Sequence, residues 1–351
     1  MSSKGAVLLT GGTGFVGATL APLLKARGWR VHALARRTSD SSTIAEHVER
    51  WHTGDLTDRD SLARAVAALS EEPGESWCCH LGAMISYRPR DRALQQRVNV
   101  EGTGALVDAL VDGGVPRLLH VSSTAAVGVA ASAKEELDES SSFESLRRIG
   151  AAYPLTKRAA EERALGDPRL ERVVATNPGA IFGGGGAHNN STKFLLQVDR
   201  RGAPPVVPPG SLGVVGVEDV AEGCCLAWER GRHRQRYLLV ESNHTLRELF
   251  QLVAGLLGRR GPGPALPRAA WRAFALSLHG VDRLVALDLL APEGLDLLGQ
   301  HFRFSGRRAR TELGWSPQPI EAVLRGTIAW LTAHGHLRSG KISGTPPVLP
   351  G

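Results

Sequence analysis

A short glycine pattern near the N-terminus constrains this chain more than any other feature of its sequence. Residues 10–17 read TGGTGFVG, between the apolar run AVLLT and the amphipathic run FVGATLAPLLKARG. Gly11, Gly14 and Gly17 suit a tight turn from strand to helix, a close approach of backbone to ligand and close packing of helix on sheet. The helix N-terminus would then offer free N–H groups and partial positive charge to phosphates. The pattern therefore predicts a dinucleotide-binding turn.

The first 180 residues continue in alternating strand-like and helix-like segments. Short apolar runs such as RVHALARR, SWCCHLGA, RLLHVSS and RVVATNPG alternate with longer helical patterns, which is typical of a parallel sheet covered by helices on both faces. After Gly183 the rhythm changes to loop signals and a mostly helical remainder. We therefore predict an α/β fold, with a Rossmann-type doubly wound parallel sheet and a smaller, mostly helical C-terminal substrate subdomain.

These changes in composition also suggest domain boundaries. The dinucleotide-binding domain is expected to span 1–182, with 211–240 returning to it. The substrate-binding subdomain then comprises 183–210 and 241–336. The tail 337–351 has little apolar surface to bury and is expected to be disordered.

The composition argues against several classes of protein. A chain of 351 residues with 42% hydrophobic and 22% charged residues has the make-up of a folded globular protein. The net charge of +7 comes from scattered arginines without a block of like charge, so no nucleic-acid binding is expected. No integral membrane segment and no secretory signal is recognised, so we expect a cytoplasmic protein. The adjacent pairs Cys78-Cys79 and Cys224-Cys225 lie in apolar runs without metal-ligand spacing, which predicts buried reduced thiols and no metal site.

Two arginines at the end of the second strand bear on the choice of cofactor. Arg36 and Arg37 stand about 20 residues beyond the glycines, where an acidic residue would bind the ribose 2′-hydroxyl of NAD(H). Guanidinium groups at this place suit the 2′-phosphate of NADP(H) instead. The alternative is that both are solvated loop residues. NADP(H) is favoured, and NAD(H) stays open.

Residues 153–157 read YPLTK, which places a tyrosine and a lysine one helical turn apart. Reduction of a ketone by hydride needs a proton for the forming alkoxide. A phenol, with a pKa of about 10, serves as acid and base near neutrality when a fixed cation stabilises its phenolate. Tyr153 and Lys157 are therefore a candidate catalytic pair, with an interface phenol and a solvated lysine as the alternative.

Six motifs, in the expected order, resemble those of the extended short-chain dehydrogenase/reductase superfamily, also called the NAD-dependent epimerase/dehydratase family. They are TGGTGFVG at 10–17, GDLTD at 54–58, HLGA at 80–83, NVEGT at 99–103, VSSTAAVG at 121–128 and YPLTK at 153–157. Within the superfamily the chain is most similar to the branch of dihydroflavonol reductases, 3β-hydroxysteroid dehydrogenases and hopanoid-associated epimerases. The resemblance covers roughly residues 5–260, and the segment RFSGRRARTELGWSPQPIEAVLRGTIAWL resembles the C-terminus of that branch.

This resemblance implies roles for individual residues. Tyr153 would be the acid and base, and Lys157 would also hold the nicotinamide ribose. Ser123 would hold the substrate oxygen, with Thr124 as the fallback. Asn99 corresponds to an asparagine that takes part in a water-linked proton path or shapes its helix, and a plain helix N-cap is the alternative. The cofactor-binding residues implied by the same motifs, besides the catalytic Tyr153 and Lys157, are Gly11, Gly12, Thr13, Gly14, Phe15, Val16, Gly17, Arg36, Arg37, Asp55, Leu56, Leu81, Gly82, Ala83 and Pro178.

Two departures from the family pattern bear on the substrate. Nucleotide-sugar enzymes of the superfamily usually carry an arginine-aspartate pair before their V-x-D-V motif, but PPGSLGVVGVEDVAEG has no cation there. The Arg-Pro-Gly common after strand six is replaced by Asn177-Pro178-Gly179. A diphosphate without positive partners is poorly bound. We therefore favour an apolar carbonyl or alcohol substrate of the sterol, terpenoid or polyketide kind.

The substrate pocket is expected to lie between three parts of the chain: Met84 to Tyr87, the loop from Gly183 to Lys193, and the apolar helices after 265. Phe182 and Phe194 are interpreted as core residues rather than substrate contacts.

Three hypotheses follow. The leading one is an NADP(H)-dependent oxidoreductase of apolar ketones or alcohols. The second is an epimerase or dehydratase of a nucleotide sugar or related polyol that retains its cofactor. The third is a dinucleotide-sensing protein without turnover. A homodimer through the helices near 95–112 and 150–165 is one expectation for assembly.

Overall fold

The computed structural model describes residues 4–185, 190–285 and 292–337. Its strands are β1 (Gly5–Thr10), β2 (Trp29–Ala35), β3 (Arg50–Thr53), β4 (Glu75–His80), β5 (Arg117–Val121), β6 (Arg172–Pro178), β7 (Ala180–Phe182), β8 (Ser211–Gly216), β9 (Arg236–Leu239), β10 (Ser242–Thr245) and β11 (His301–Phe302). Its helices are α1 (Phe15–Ala26), α2 (Arg59–Ser70), α3 (Arg92–Gln95), α4 (Gly102–Asp112), α5 (Glu144–Ile149), α6 (Ala152–Gly166), α7 (Asn190–Arg201), α8 (Val217–Arg230), α9 (Leu246–Leu256), α10 (Arg268–Val285), α11 (Pro292–Leu298) and α12 (Ile320–Ala333).

A seven-stranded sheet forms the centre of the larger half, in the order β3-β2-β1-β4-β5-β6-β9. Every neighbouring pair in it is parallel. The strand order reverses between β1 and β4, and open α/β sheets bind their ligands beside the carboxyl ends of strands at such a point. This sheet confirms the predicted fold class.

Helices cover both faces of the large sheet. Successive side chains of a strand point to opposite faces, and the apolar ones form a core on each face. One core joins the sheet to α1 and α8, and it includes Leu20 and Cys224. The other joins the sheet to α2, α4 and α6, and it includes Leu62 and Leu106. The four cysteines are free and buried, which confirms the predicted thiols.

A smaller sheet lies in the other half of the molecule. Strand β8 pairs with β7 and β11 in parallel and with β10 in antiparallel orientation. Helices α7, α9 and α12 pack around a core that includes Leu195, Val253 and Leu324. Of the segment 211–240, β9 joins the large sheet and α8 packs on it, whereas β8 belongs to the small sheet. The predicted domain boundaries otherwise stay a prediction.

Helices α3 and α4 are joined by a π-helical segment, Gln96–Glu101, and the three pieces run as one continuous helix. In the part of the chain that the structure describes, no helix is both long and apolar enough to cross a bilayer. Of the tail 337–351, which is predicted to be disordered, residues 338–351 lie outside the described residues.

Candidate active site

The glycine pattern forms the turn between β1 and α1, as predicted. Gly11 has a φ of +70°, and a Cβ built on it would lie 2.7 Å from the Gly82 nitrogen after β4. A Cβ on Gly17 would lie 2.5 Å from the Gly11 carbonyl oxygen. Gly14 caps α1 without a side chain, and the first turn of α1 contains no acidic residue. The turn therefore leaves the helix N–H groups open to a ligand.

This turn fits a dinucleotide pyrophosphate. Uncapped N–H groups and the helix dipole favour a negative charge in front of Gly14 and Phe15, and Thr13 and Val16 lie in the same turn. A side chain on Gly11 or Gly17 would fill the space that the turn keeps free.

The arginines beyond β2 lie at the surface on the same side. Arg36 and Arg37 are both exposed. Partial burial raises the pKa of Asp55, but hydrogen bonds from Thr57 and the charge of Arg36 outweigh this and leave the pKa below its ordinary value. Arg36 therefore lies close enough to Asp55 to act on it. Leu56, which follows Asp55, is buried in the core beneath the turn.

The segment after β4 closes the other side of the turn. The Gly82 N–H donates to the Thr10 hydroxyl at 3.2 Å, and Leu81 donates to the Thr10 carbonyl at 3.1 Å. Ala83 is exposed, and Pro178 is buried at the end of β6. The cofactor residues predicted from the family motifs thus lie along the carboxyl edge of the large sheet.

Tyr153 and Ser123 meet at that edge. Tyr153 lies in the first turn of α6 with 9% of its surface exposed, and Ser123 follows β5. The two side chains are hydrogen-bonded. Burial raises the pKa of Tyr153 above its ordinary value, and the Ser123 hydrogen bond lowers it less than burial raises it. The neighbours Ser122 and Thr124 are more deeply buried, so Ser123 rather than Thr124 faces the tyrosine.

Lys157 lies one turn after Tyr153 and is 3% exposed. Its Nζ donates to the Val121 carbonyl oxygen at 3.0 Å, so it ties α6 to the end of β5 just before Ser123. Burial lowers the pKa of Lys157 to about 8, although the charge of Glu161 acts in the opposite sense. The ammonium group is therefore fixed in place and loses its proton more easily than an exposed lysine.

A buried polar cluster holds Ser123 and the helix that carries Tyr153 and Lys157. The sequence analysis did not predict this cluster. The Asn177 amide nitrogen donates to the Ser123 carbonyl oxygen at 3.0 Å and to the Glu161 carboxylate at 2.5 Å. Glu161 also forms an ion pair of 3.1 Å with Arg236 on β9. Asn177 was noted only as a departure from the family pattern. The cluster depends on contacts across the sheet, which spacing along the chain does not reveal.

Asn99 lies in the π-helical segment and is 1% exposed. Its side chain accepts from the Met84 N–H at 2.7 Å and donates to the Met84 carbonyl at 3.0 Å and the Thr156 hydroxyl at 3.1 Å. The alternative of a helix N-cap is wrong, because the residue lies inside the helix and caps no terminus. Asn99 joins the segment after β4 to α6.

Tyr87 packs edge-on against Tyr153, with ring centroids 5.8 Å apart. Burial raises the pKa of its phenol, and the nearby Tyr153 adds to this. Ile85, two residues earlier, is 56% exposed. Of the three predicted parts of the pocket wall, the segment from Met84 to Tyr87 thus reaches Tyr153.

The other predicted wall segments are only partly described. Residues 186–189 of the loop after Gly183 and 286–291 of the C-terminal stretch lie outside the described residues. Phe182 is 3% exposed and its ring centroid lies 6.4 Å from that of Phe194, within the core around α7 and α9. Both are core residues, as predicted.

Two histidines lie between the large sheet and α4. His80 is bonded to the Thr10 hydroxyl at 2.7 Å and the Thr103 hydroxyl at 2.9 Å. His120 is equally buried, and neither of its ring nitrogens has a hydrogen-bond partner among the residues that the structure describes. Burial lowers the pKa of His80 to about 3 and the pKa of His120 well below its ordinary value, and the charge of Lys157 adds to both shifts. Both rings are therefore neutral at neutral pH.

Comparison with known proteins agrees with this geometry. The chain matches the model of the NAD dependent epimerase/dehydratase family over residues 7–239, and it belongs to that family. It is 29% identical over 342 residues to a putative dihydroflavonol 4-reductase of Synechocystis sp., covering 94% of this chain and 96% of that protein. It is 30% identical over 334 residues to sterol demethylase protein B of Methylococcus capsulatus, covering 93% of this chain and 98% of that protein. The crystal structure of gox2253 is similar with a TM-score of 0.81 and 31% identity, covering 95% of this chain and 99% of that one.

The resemblance inferred from the six motifs is thereby confirmed. The protein is an NAD(P)-dependent oxidoreductase of the extended short-chain dehydrogenase/reductase type, and it uses a nicotinamide dinucleotide.

Proposed function

We propose that the protein is an NADP(H)-dependent reductase of an apolar ketone, with Tyr153 as the proton donor. The observation that carries the proposal is the hydrogen bond between Ser123 and Tyr153, beside a lysine fixed to the same strand end. A bound nicotinamide supplies or accepts the hydride. Every other part of the reaction is assigned to side chains of this chain.

Tyr153 is set to give a proton rather than to take one. Its raised pKa keeps the phenol protonated at neutral pH, which is the state required when a ketone becomes an alkoxide. Ser123 would orient the substrate oxygen towards the phenol. A bond from the Ser123 hydroxyl to that oxygen would stabilise the negative charge that develops on it.

Lys157 would stabilise the phenolate left after proton transfer, because its charge is held on the same helix face one turn away. We assign it the nicotinamide ribose hydroxyls as hydrogen-bond partners, which its remaining N–H groups can reach once the cofactor is bound. Asn99 would act as a positioning residue that holds the segment after β4 against the catalytic helix.

The preference for NADP(H) rests on Arg36 and Arg37. Both are exposed after the end of β2, where a 2′-phosphate would need a cation and a 2′-hydroxyl would need an acceptor, and the charge of Arg36 acts on Asp55. We assign the 2′-phosphate to Arg36 first.

An apolar substrate is supported by the surroundings of Tyr153. The ring of Tyr87 packs edge-on against the phenol, and Ile85, two residues before Tyr87, is exposed. The names of two relatives, a dihydroflavonol reductase and a sterol demethylase protein, also refer to compounds with large ring systems. We further propose a homodimer through the helices α4 and α6.

The test is NADPH oxidation by the purified protein with a panel of ketones: a steroid 3-ketone, a dihydroflavonol, a terpenoid ketone and a UDP-hexos-4-ulose. We expect turnover of at least one of the first three and none of the last. Turnover of the nucleotide sugar alone, with nicotinamide already bound to the purified protein, would favour the epimerase or dehydratase. Binding of NADPH without turnover of any ketone would count against the proposal and favour a dinucleotide sensor.

A further inference from the structure

The first turn of the catalytic helix contains an N–H group that no residue of its own segment satisfies. Helix α6 begins at Ala152, and its N-cap, Ala151, has no side chain that can cap it. The helix's own bonds begin with Leu155, which donates to the Ala151 carbonyl at 3.4 Å, and Pro154 has no N–H. The N–H groups at the start of the helix therefore need partners from elsewhere.

Glu293, from the substrate-binding half, supplies such a partner. Its Oε2 accepts from the Ala152 N–H at 2.8 Å across 141 residues of sequence. Glu293 is 6% exposed, so the bond lies away from solvent. A negative charge at a helix N-terminus also interacts favourably with the helix dipole. Glu293 thus caps the catalytic helix one residue before Tyr153.

Arg92 holds this cap in place. Its Nε donates to Glu293 Oε1 at 2.7 Å, and one terminal nitrogen donates to the Gly150 carbonyl at 3.0 Å. Gly150 has a φ of +71° and ends α5 just before α6 begins. Arg92 and Glu293 together fix the backbone on both sides of the link between α5 and α6.

Tyr87 lies between the residue after the cap, Gly294, and Tyr153. A Cβ built on Gly294 would lie 3.6 Å from the Cβ of Tyr87, which is ordinary contact. Tyr87 in turn packs edge-on against Tyr153. The start of α11 is therefore linked to Tyr153 in two ways: by the hydrogen bond of Glu293 to the start of α6, and by Tyr87, which lies beside Gly294 and packs edge-on against Tyr153.

We propose that Glu293 is a positioning residue for the reaction, through which the substrate-binding half places Tyr153 for proton transfer. The inference rests on the proposed function, because it requires Tyr153 to be the proton donor. A misplacement of a catalytic group by about 1 Å can cost about 100-fold in rate. Loss of this cap should consequently lower kcat, while cofactor binding at the glycine turn stays as it was.

The test compares Glu293→Ala, Glu293→Gln and a matched control, Glu321→Ala, which removes an exposed carboxylate paired with Arg325 on α12. The first measurement needs no substrate: hydrogen exchange of peptides covering 149–158, followed by mass spectrometry. We expect exchange in the first turn of α6 to be about tenfold faster in Glu293→Ala. Glu293→Gln, which keeps an uncharged acceptor, should be about threefold faster, and the control should match the wild type.

The second measurement is NADPH oxidation with a steroid 3-ketone, together with NADPH affinity from fluorescence. We expect kcat about tenfold to 100-fold lower in Glu293→Ala and about threefold lower in Glu293→Gln, with NADPH affinity within about twofold of the wild type. If Glu293 had a purely structural role, its variants would have lower melting temperatures, but kcat would not decrease in the order wild type, Glu293→Gln, Glu293→Ala.

Wild-type exchange in Glu293→Gln would overturn the inference, even if Glu293→Ala does not fold. The same holds if Glu293→Ala folds and keeps wild-type kcat and exchange. Tyr153→Phe, measured in parallel, separates the two proposals. An inactive Tyr153→Phe beside an unaffected Glu293→Ala removes only the role of Glu293, whereas an active Tyr153→Phe removes the proposed function.

Discussion

The two halves of the molecule build their sites in different ways. The cofactor half presents backbone: the Gly11 to Gly17 turn offers N–H groups, and its geometry depends on the absence of side chains. The substrate half acts through side chains that reach across the fold, as Glu293 does to Ala152. A site built from a local turn can be recognised in the sequence, whereas a site built from distant partners requires the structure.

The two halves meet at Tyr153. Its partner Ser123 is held by Asn177 of the large sheet, and the start of its helix is held by Glu293 of the other half. Variants of the glycine turn should therefore affect cofactor affinity, whereas variants of Glu293 should affect proton transfer by Tyr153.

The largest expected contrast is between two glycines. Gly17→Ala places a Cβ about 2.5 Å from the backbone of the turn, whereas Gly326 in α12 has nothing within 4 Å. We expect Gly17→Ala to cost about 1–3 kcal/mol of stability and to weaken NADPH binding by about tenfold to 100-fold. Gly326→Ala should raise stability by about 0.5–1 kcal/mol and leave affinity unchanged. Thermal unfolding and NADPH titration measure both, and equal behaviour of the two variants would contradict the account.

A smaller effect is expected at the 2′-phosphate. Arg36→Ala should weaken NADPH by about tenfold and NADH by less than about twofold, because only NADPH presents the extra charge. Arg325→Ala, in an exposed ion pair of the substrate half, is the control and should change neither. Fluorescence titration with the two cofactors gives the ratio. Equal losses for both cofactors would remove the assignment of Arg36.

The pH dependence of stability should reside in the larger half. His80 and His120 have folded-state pKa values below the ordinary value, so the unfolded chain takes up protons that the folded chain does not. Their contribution is complete above about pH 6.5 and is lost as the pH falls, by about 1.4 kcal/mol per pH unit for each histidine. His120→Phe should therefore reduce the slope of unfolding free energy between pH 6.5 and 5.5 by up to about 1.4 kcal/mol per pH unit, with exposed His334→Phe as the control. Urea unfolding of each variant at the two pH values gives the free energies of unfolding from which the slope is calculated.

The smallest effect concerns the upper pH limit of turnover. Burial lowers the pKa of Lys157 to about 8, and the charge of Glu161 acts in the opposite direction by raising it. Glu161→Gln should therefore lower this pKa further. The fall in activity as the pH rises through this pKa should then begin at lower pH, with a loss of about threefold at pH 8. A pH profile of kcat shows the shift. An unchanged profile would mean that the Lys157 charge does not limit turnover.

Much of the cofactor half could be predicted from the sequence. Its strands and helices alternate along the chain, so TGGTGFVG, VSSTAAVG and YPLTK could be placed after β1, after β5 and at the start of α6. The family resemblance of VSSTAAVG favoured Ser123 over Thr124, and the structure places Ser123 against Tyr153.

The rest depended on contacts that spacing does not reveal. The π-helical segment around Asn99 gave no periodic signal, and the N-cap alternative was wrong for that reason. The sequence analysis assigned no role to Glu161, which the structure places in the interior, paired with Arg236 on β9.

The most direct test of the account is the turnover of Tyr153→Phe with NADPH and a ketone that the wild type reduces. The substitution removes only the hydroxyl, so NADPH affinity should stay within about twofold while kcat falls by at least about 100-fold. Turnover of Tyr153→Phe within about threefold of the wild type, at unchanged NADPH affinity, would contradict the assignment of this phenol as the proton donor.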